Sequence, residues 1–164
     1  DEQFYNAIQS FKGAAKRLEL VYKNETFNFY KDFAHSPSKL KATTQAVKKQ
    51  FPERKLIACL ELHTFSSLNE DFLKEYAGAM DAADDAIVYF NPHTIEHKKL
   101  KPISERQVKD SFSNNSLKVF TESTIIPQYL KEQNWTNKNL LMMSSGTFDG
   151  MDFKEMGEGI ILTS

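Results

Sequence analysis

Leu56-Ile57-Ala58-Cys59-Leu60 is a continuous apolar stretch near the middle of the 164-residue chain. Its length suits a β-strand, and the lack of alternation with polar residues indicates that both faces of the strand are buried. Three further short runs have the same character, namely Ala86 to Phe90, Leu117 to Phe120 and Leu140 to Met143. Helical patterns separate these runs, and strands that alternate with helices favour a parallel sheet with right-handed crossovers.

The region before this stretch predicts a β-hairpin and a helix. Residues 18–22 and 27–30 alternate around the polar segment 23–26, as the two strands of a hairpin do. From Pro37 to Gln50 the apolar residues recur every three to four positions, with Ser36 as the N-cap. The predicted fold class is therefore α/β: a Rossmann-like, mostly parallel sheet with helices on both faces, preceded by an N-terminal β-hairpin.

Several further element boundaries follow from local patterns. Residues 4–11 have helical spacing. The segments Ser67-Leu68-Asn69-Glu70 and Ser104-Glu105-Arg106-Gln107 both have the form of a capping box, so a helix should begin after each serine. Near the end of the sequence, Gly157-Glu158-Gly159 is interpreted as a turn into a closing strand, Ile160-Ile161-Leu162.

Composition bounds the number of domains and excludes some partners. With 40% hydrophobic and 26% charged residues, residues 1–164 are expected to form a single domain. A formal net charge of −1 gives no long-range field to attract nucleic acid or anionic membrane, and no apolar stretch approaches the about 20 residues of a membrane span. The lone Cys59 excludes an internal disulfide, so a cytoplasmic protein is expected.

The candidate ligand site is the loop that follows the second hairpin strand. Ligands of parallel sheets bind at the carboxyl ends of the strands, which selects the loops after residues 30, 60, 90 and 143. The first of these loops places Asp32 and His35 just ahead of a predicted helix N-terminus, where free backbone N–H groups favour an anion. The structural alternative is that Asp32 and Ser36 satisfy backbone donors while His35 is a surface residue.

Patterns typical of other chemistry are weak. His93 and His97 have the spacing of two metal ligands, but no third ligand is evident, so solvated helix residues and no metal are predicted. No Gly-x-x-x-x-Gly-Lys-(Ser/Thr) phosphate loop occurs in the sequence. A non-catalytic receiver module is the alternative from another class, but Asp84 and Asp85 precede their predicted strand, at the wrong end for a receiver's acidic pocket.

Four segments together resemble the C-terminal domain of Mur ligases. Asp32-Phe33-Ala34-His35-Ser36-Pro37, followed by Lys41-Ala42-Thr43, is similar to the family's Asp-(Tyr/Phe)-(Gly/Ala)-His-His-Pro...Lys-Ala-Thr block. Residues 11–19 resemble its Phe-x-Gly-x-x-x-Arg-x-Glu hinge segment, and residues 61–66 and 143–150 resemble its later ligand loops. The resemblance covers nearly the whole chain.

The resemblance implies an ATP-dependent ligase that acts on UDP-N-acetylmuramate. The ending at residues 143–150 is most similar to the branch that attaches the tripeptide L-alanyl-γ-D-glutamyl-meso-diaminopimelate in peptidoglycan recycling. The branch that adds L-alanine is the alternative. Ser36 stands where relatives have a second histidine, and residues 62–68 lack the arginine usual in that loop, so the amine substrate stays open.

The same resemblance implies residue roles. It assigns Arg17, Asp32 and His35 to ATP, and it assigns seven residues to the amine or peptide substrate: Ser36, His63, Thr64, Ser144, Ser145, Gly146 and Phe148. ATP and Mg²⁺ are expected in the full-length enzyme, with Mg²⁺ held mainly by preceding N-terminal and central domains. This domain would close over them as a lid, and alone it is expected to be inactive.

These assignments have structural alternatives that the sequence leaves open. Arg17 could instead be a solvated ion-pair partner of Glu19, as surface arginines commonly are. Ordinary loop capping would account for His63 and Thr64, and a plain strand-to-helix turn would account for residues 144–146.

Overall fold

The structure is a computed structural model that describes residues 18–163. The predicted helix over residues 4–11, most of the hinge segment and Arg17 lie outside the described residues. The strands are β1 (Glu19–Lys23), β2 (Phe27–Asp32), β3 (Lys55–Leu62), β4 (Asp85–Phe90), β5 (Lys118–Phe120) and β6 (Lys138–Met143). The helices are α1 (Pro37–Gln50), α2 (Glu70–Leu73), α3 (Pro92–His97), α4 (Glu105–Phe112), α5 (Ile125–Lys131) and α6 (Phe153–Thr163), with a 3₁₀ turn at Lys74–Tyr76.

The strands form one mostly parallel sheet in the order β1-β2-β6-β3-β4-β5. β1 pairs antiparallel with β2, which confirms the predicted hairpin, and the remaining neighbours pair in parallel. β6, the last strand described, lies between β2 and β3, so Asp32 is opposite Met143 and Met143 is opposite Leu60. The carboxyl ends of three strands from distant parts of the chain therefore meet at one edge of the sheet.

Helices cover both faces of this sheet, as predicted. Alternate residues of β3 point to opposite sides: Leu60 packs in a core with Leu40 of α1 and Phe112 of α4. Cys59 packs in a second core, which includes side chains from α5 and α6. A strand buried on both faces needs apolar residues at successive positions, which explains the continuous runs in the sequence.

Cys59 is fully buried, in agreement with its interpretation as a core residue. Burial in apolar surroundings raises the pKa of its thiol well above the ordinary value, because the thiolate loses its hydration. The thiol is therefore unreactive in the folded chain.

Two helix starts agree with the sequence patterns. α1 begins at Pro37 after an extended Ser36, although the Ser36 side chain makes no capping hydrogen bond. α4 has the full capping box: the Gln107 N–H donates to Ser104 Oγ at 3.1 Å, and the Ser104 N–H donates to Gln107 Oε1 at 2.7 Å.

The capping box predicted at Ser67 is wrong. α2 begins at Glu70 and is capped by Asn69, whose side-chain oxygen accepts from the N–H groups of Asp71 and Phe72 at 2.9 and 3.2 Å. The Ser67 hydroxyl is used elsewhere, since its oxygen accepts from the Thr64 N–H at 3.0 Å. Asparagine is as strong an N-cap as serine, and here it stands immediately before the helix.

The closing strand predicted over residues 160–162 is also wrong, because α6 runs through Phe153–Thr163. Met156 and Ile160 are buried at helical spacing in the core of that face. Gly157 serves close packing rather than a turn, since a Cβ there would lie 3.0 Å from the ring of Phe29 in β2. Gly157 therefore brings the helix near the sheet instead of ending it.

Candidate functional site

A cleft of about 560 Å³ opens beside the carboxyl ends of β2 and β6. It is lined by the end of β2, including Lys31 and Asp32, and by the exposed Phe33. Its lining also includes residues 144–148, which follow β6, and residues 151–154 around the start of α6. The sequence-predicted residues that line this cleft are thus Asp32, Ser144, Ser145, Gly146 and Phe148.

Asp32 connects three elements at this edge. Its side chain is 7% exposed, and its Oδ2 accepts a hydrogen bond from the Thr43 hydroxyl of α1 at 2.9 Å. Its backbone oxygen accepts from the Ser144 N–H at 3.0 Å. The Asp32 carboxylate is therefore held in place by the helix that follows it, and the same residue anchors the start of the loop after β6.

His35 and Ser36 lie on the turn between β2 and α1, outside the lining of the cleft. The His35 ring bonds through Nδ1 to the Phe33 carbonyl oxygen at 2.9 Å, within its own turn. The Tyr76 hydroxyl donates to the His35 carbonyl oxygen, and burial raises the pKa of that hydroxyl above its ordinary value. These contacts fix the shape of the turn that presents Asp32.

The loop after β6 is held by Glu61, a residue to which the sequence assigned no separate role. Glu61 is 4% exposed, and its Oε1 accepts from the Ser144 hydroxyl at 2.6 Å and from the Phe148 N–H at 2.9 Å. The Ser144 oxygen in turn accepts from the Gly146 N–H at 2.7 Å. The sequence did offer one signal for this role, since Glu61 is an acidic residue at the otherwise apolar end of a predicted strand. Acidic residues are rarely buried unless they have partners.

The next residues of this loop adopt an unusual backbone conformation. Phe148, Asp149 and Gly150 have φ values of 52°, 58° and 79°, all in the left-handed region. Non-glycine residues adopt it rarely, at a cost that surrounding contacts must offset. Tyr89 and Asn91, at the end of β4, both donate to the Asp149 carboxylate, Asn91 at 3.3 Å.

Phe148 is a packing residue as well as part of the cleft wall. Its side chain is 1% exposed and its ring stacks on Tyr89 with centroids 6.2 Å apart. Burial, followed by the hydrogen bond to Asp149, raises the pKa of the Tyr89 hydroxyl, so this residue remains a neutral donor at physiological pH. The loop is therefore fixed from two neighbouring strands, β3 and β4.

His63 and Thr64 lie in the loop after β3. The Thr64 N–H and hydroxyl both donate to Ser67 Oγ at 3.0 Å, which makes Thr64 part of a closed turn. The His63 ring lies directly against Gly146. The structure thus brings His63 next to the loop after β6. Arg17 lies outside the described residues, so its role at the ATP phosphates stays a prediction.

We expect Gly146→Ala to lower the free energy of unfolding by about 1–3 kcal/mol, the usual cost of inserting a methyl group into occupied space. A Cβ at Gly146 would lie 2.9 Å from two atoms of the His63 ring and 3.1 Å from Glu61 Oε1. Urea unfolding measures the loss. The double variant with His63→Ala should recover part of it, since the ring is then gone, and wild-type stability for Gly146→Ala alone would contradict the close approach.

Other features of the described part of the chain do not add a site. Across residues 18–163, no three His, Cys, Asp or Glu side chains are grouped so that they could hold a metal ion. His93 and His97 both lie in the short α3. No helix within the same range has the length and apolar character that crossing a bilayer requires.

This geometry defines an α/β domain whose polar loops meet at the carboxyl edge of a mostly parallel sheet, the position at which such sheets bind ligands. A sequence model of one family, described as Mur ligase, glutamate ligase domain, matches residues 16–146. The chain therefore belongs to the Mur ligase family and corresponds to its C-terminal domain.

Individual relatives agree with this assignment. The chain is 26% identical over 126 residues to UDP-N-acetylmuramate–L-alanine ligase of Flavobacterium psychrophilum, a match that covers 77% of this chain and 28% of that protein. The fold is shared with the murein peptide ligase Mpl of Psychrobacter arcticus, at a TM-score of 0.68, 21% identity, and coverage of 94% of this chain and 32% of that one. It is also shared with the alanine ligase MurC of Thermotoga maritima, at a TM-score of 0.59, 17% identity, and coverage of 88% and 28%.

Proposed function

We propose that this chain is the C-terminal domain of a cytoplasmic, ATP-dependent ligase that joins UDP-N-acetylmuramate to L-alanyl-γ-D-glutamyl-meso-diaminopimelate in peptidoglycan recycling. The observation that carries the proposal is the loop over residues 143–150, whose sequence resembles that branch and whose backbone is fixed beside Asp32. The chain spans about a quarter of the length of the curated relative in the comparison, so the remaining machinery is assigned to other domains.

A ligase that adds L-alanine to UDP-N-acetylmuramate is the second candidate. It is favoured by the name of the Flavobacterium relative, which matches over most of this chain. A receiver module fits the structure less well, because Asp85 is the first residue of β4 and lies at the amino end of the strand. There it contacts Lys118 and Tyr129, far along the strands from the loops that form the cleft.

ATP fits the edge of the sheet at which Asp32 ends β2. When bound, ATP supplies the phosphoryl group that activates the carboxylate of the muramyl substrate. Asp32 would accept hydrogen bonds from the ribose hydroxyls, since an ionised carboxylate has acceptors and no donor. Arg17 would donate to phosphate oxygens through the planar, fixed arrangement of its guanidinium N–H groups. We assign Mg²⁺ mainly to the preceding domains.

The loops after β6 and β3 would orient the incoming amine. Ser144, Ser145 and Gly146 offer hydroxyl and backbone donors suited to a peptide carboxylate, with His63 alongside. Holding the amine in line with the activated carboxylate makes a bimolecular reaction effectively unimolecular, which lowers its entropic barrier. Closure of this domain over the others would exclude water from the activated carboxylate.

The experiment is a phosphate-release assay on the full-length protein with ATP and UDP-N-acetylmuramate, comparing the tripeptide with L-alanine. We expect a higher kcat/KM with the tripeptide, and no turnover from the 164-residue chain alone. A preference for L-alanine would establish the second candidate. Turnover by the isolated chain, or no turnover of either amine by the full-length protein, would overturn the proposal.

A further inference from the structure

Glu61 is a buried carboxylate that none of the assigned ligand roles uses. Its side chain is 4% exposed, and it is absent from every ion pair formed among residues 18–163. A buried acidic group without a cation lowers stability unless hydrogen bonds compensate for its lost hydration. The hydrogen bonds to Glu61 all come from the loop after β6, which indicates that Glu61 holds this loop in place.

The direction of these hydrogen bonds follows from the chemistry of the donors. The Ser144 oxygen already accepts from the Gly146 N–H, so the Ser144 hydroxyl proton is free to point at Glu61 Oε1. The Phe148 N–H can only donate, and it donates to the same oxygen. One oxygen of Glu61 thus fixes both ends of a five-residue turn, and through Ser144 it also fixes the middle.

The turn that Glu61 holds is part of the cleft, whereas Glu61 is not. Residues 144–148 line the cleft, and Glu61 lies behind them on the end of β3. Lys31 and Asp32 line the same cleft. A change at Glu61 would therefore reach a ligand only through the position of the turn.

We propose that Glu61 is a positioning residue for the incoming amine substrate, acting through the turn over residues 144–148. The proposal rests on the proposed function, which gives that turn its ligand. The Ser144 N–H donates to the Asp32 backbone oxygen and the Thr43 hydroxyl donates to the Asp32 carboxylate, so we expect the Thr43 contact to persist when Glu61 is changed. The effect on kcat/KM is therefore expected for the amine and not for ATP.

The kinetic test uses the full-length protein and compares Glu61→Ala with Glu61→Gln. Glu61→Ala removes the acceptor, and we expect kcat/KM for the amine to fall about 100-fold, a loss that a shift of about 1 Å in the position of a substrate can produce. The KM for ATP should stay near the wild-type value. Glu61→Gln keeps an oxygen at the same place and should recover most of the loss, although a neutral acceptor is weaker than a charged one.

A second measurement on the 164-residue chain separates failure of this inference from failure of the proposed function. Hydrogen exchange at the Gly146 and Phe148 amides should be faster in Glu61→Ala than in wild type, and close to wild type in Glu61→Gln. Glu96→Ala, which removes an exposed glutamate of α3, is the matched control and should leave both amides unchanged. These results do not depend on which reaction the enzyme performs.

Each outcome decides the matter. Faster exchange in Glu61→Ala, together with a loss confined to the amine, supports the positioning role. Unchanged exchange in Glu61→Ala overturns it whatever the substrate is, and so does an equal loss for the amine and for ATP. Failure of Glu61→Gln to recover either readout would also overturn it, because the role would then require the charge rather than the acceptor.

Discussion

Replacing Trp135 with alanine is expected to lower the free energy of unfolding by about 3–5 kcal/mol, the range for removing a large buried aromatic side chain. Trp135 is 1% exposed and its ring meets Phe27 of β2 edge to face, with centroids 5.2 Å apart. Its Nε1–H donates to the carbonyl oxygen of Leu130, in α5, at 2.7 Å. The variant therefore leaves a cavity and removes the shortest hydrogen bond to this carbonyl, which keeps the Gln133 N–H at 3.3 Å.

The loss is measured by urea unfolding, with thiol labelling of Cys59 as a second readout. Cys59 packs in the same core as Trp135, so its labelling reports opening of that core. Trp135→Phe keeps a ring but removes the N–H, and should cost less than Trp135→Ala. Phe65→Ala is the exposed control, since Phe65 is 60% exposed, and it should change stability by no more than about 0.5 kcal/mol.

A stability of Trp135→Ala within about 1 kcal/mol of wild type, the size of an ordinary mutational effect, would contradict the packing between α5 and the sheet. So would rapid labelling of Cys59 in the wild-type chain, because a thiol with no exposed surface reacts only when the core opens. The two readouts are independent, since one follows the free energy of unfolding and the other follows access to a single side chain.

Much of this fold could be predicted because its signals are local. The apolar run at residues 56–60 became part of β3, the hairpin and the start of α1 at Pro37 were confirmed, and so was the capping box at Ser104. The position of β6 between β2 and β3 was beyond such reasoning. Strand pairing depends on residues far apart in sequence, and no local pattern carries it.

The two incorrect predictions, a capping box at Ser67 and a closing strand over residues 160–162, both arose where the local pattern was compatible with two structures. Ser67 has the right spacing for a capping box, yet Asn69 stands nearer to α2 and caps it. Gly157 looked like part of a turn, but the tertiary contact with Phe29 makes a glycine within α6 favourable. A competing N-cap decided the start of α2, and tertiary packing decided that residues 157–162 are helical.

Part of the candidate site could be predicted from the sequence, and part of it could not. Asp32 and residues 144–146 were predicted from separate segments to lie at one edge, and the structure brings them together through the hydrogen bond between Ser144 and Asp32. The role of Glu61 was missed because its partners, Ser144 and Phe148, are 83 and 87 residues away. A single acidic residue in a buried strand indicates that partners exist but does not identify them.

Replacing Asp32 with alanine is expected to reduce kcat/KM for ATP by about 10- to 150-fold in the full-length protein, which corresponds to losing about 1.5–3 kcal/mol from one charged hydrogen bond. Asp32 is 7% exposed at the end of β2, and Thr43 orients its Oδ2. A carboxylate held in this way has lost its freedom before a nucleotide arrives, so in the proposed role its hydrogen bonds to the ribose would add to affinity without a further ordering cost.

Asp32→Asn separates charge from shape, because it keeps the side-chain volume but offers one acceptor and one donor in place of two acceptors. We expect Asp32→Asn to lower kcat/KM for ATP nearly as much as Asp32→Ala does. Thr43→Val removes only the group that orients Oδ2, and should lower kcat/KM in the same direction but by less. Asp110→Asn, on the exposed side of α4 and paired with Arg106, is the control and should leave kcat/KM for ATP unchanged.

Wild-type kinetics with ATP in both Asp32 variants would remove the carboxylate from the nucleotide site. Asp32 would then be a structural residue that fixes α1 to the end of β2. Its replacement would lower the free energy of unfolding and leave kcat/KM for ATP unchanged. The comparison between Thr43→Val and Asp32→Asn decides which of these holds. Loss of orientation lowers catalysis only if a ligand is there to be oriented, whereas loss of a structural hydrogen bond lowers stability with or without one.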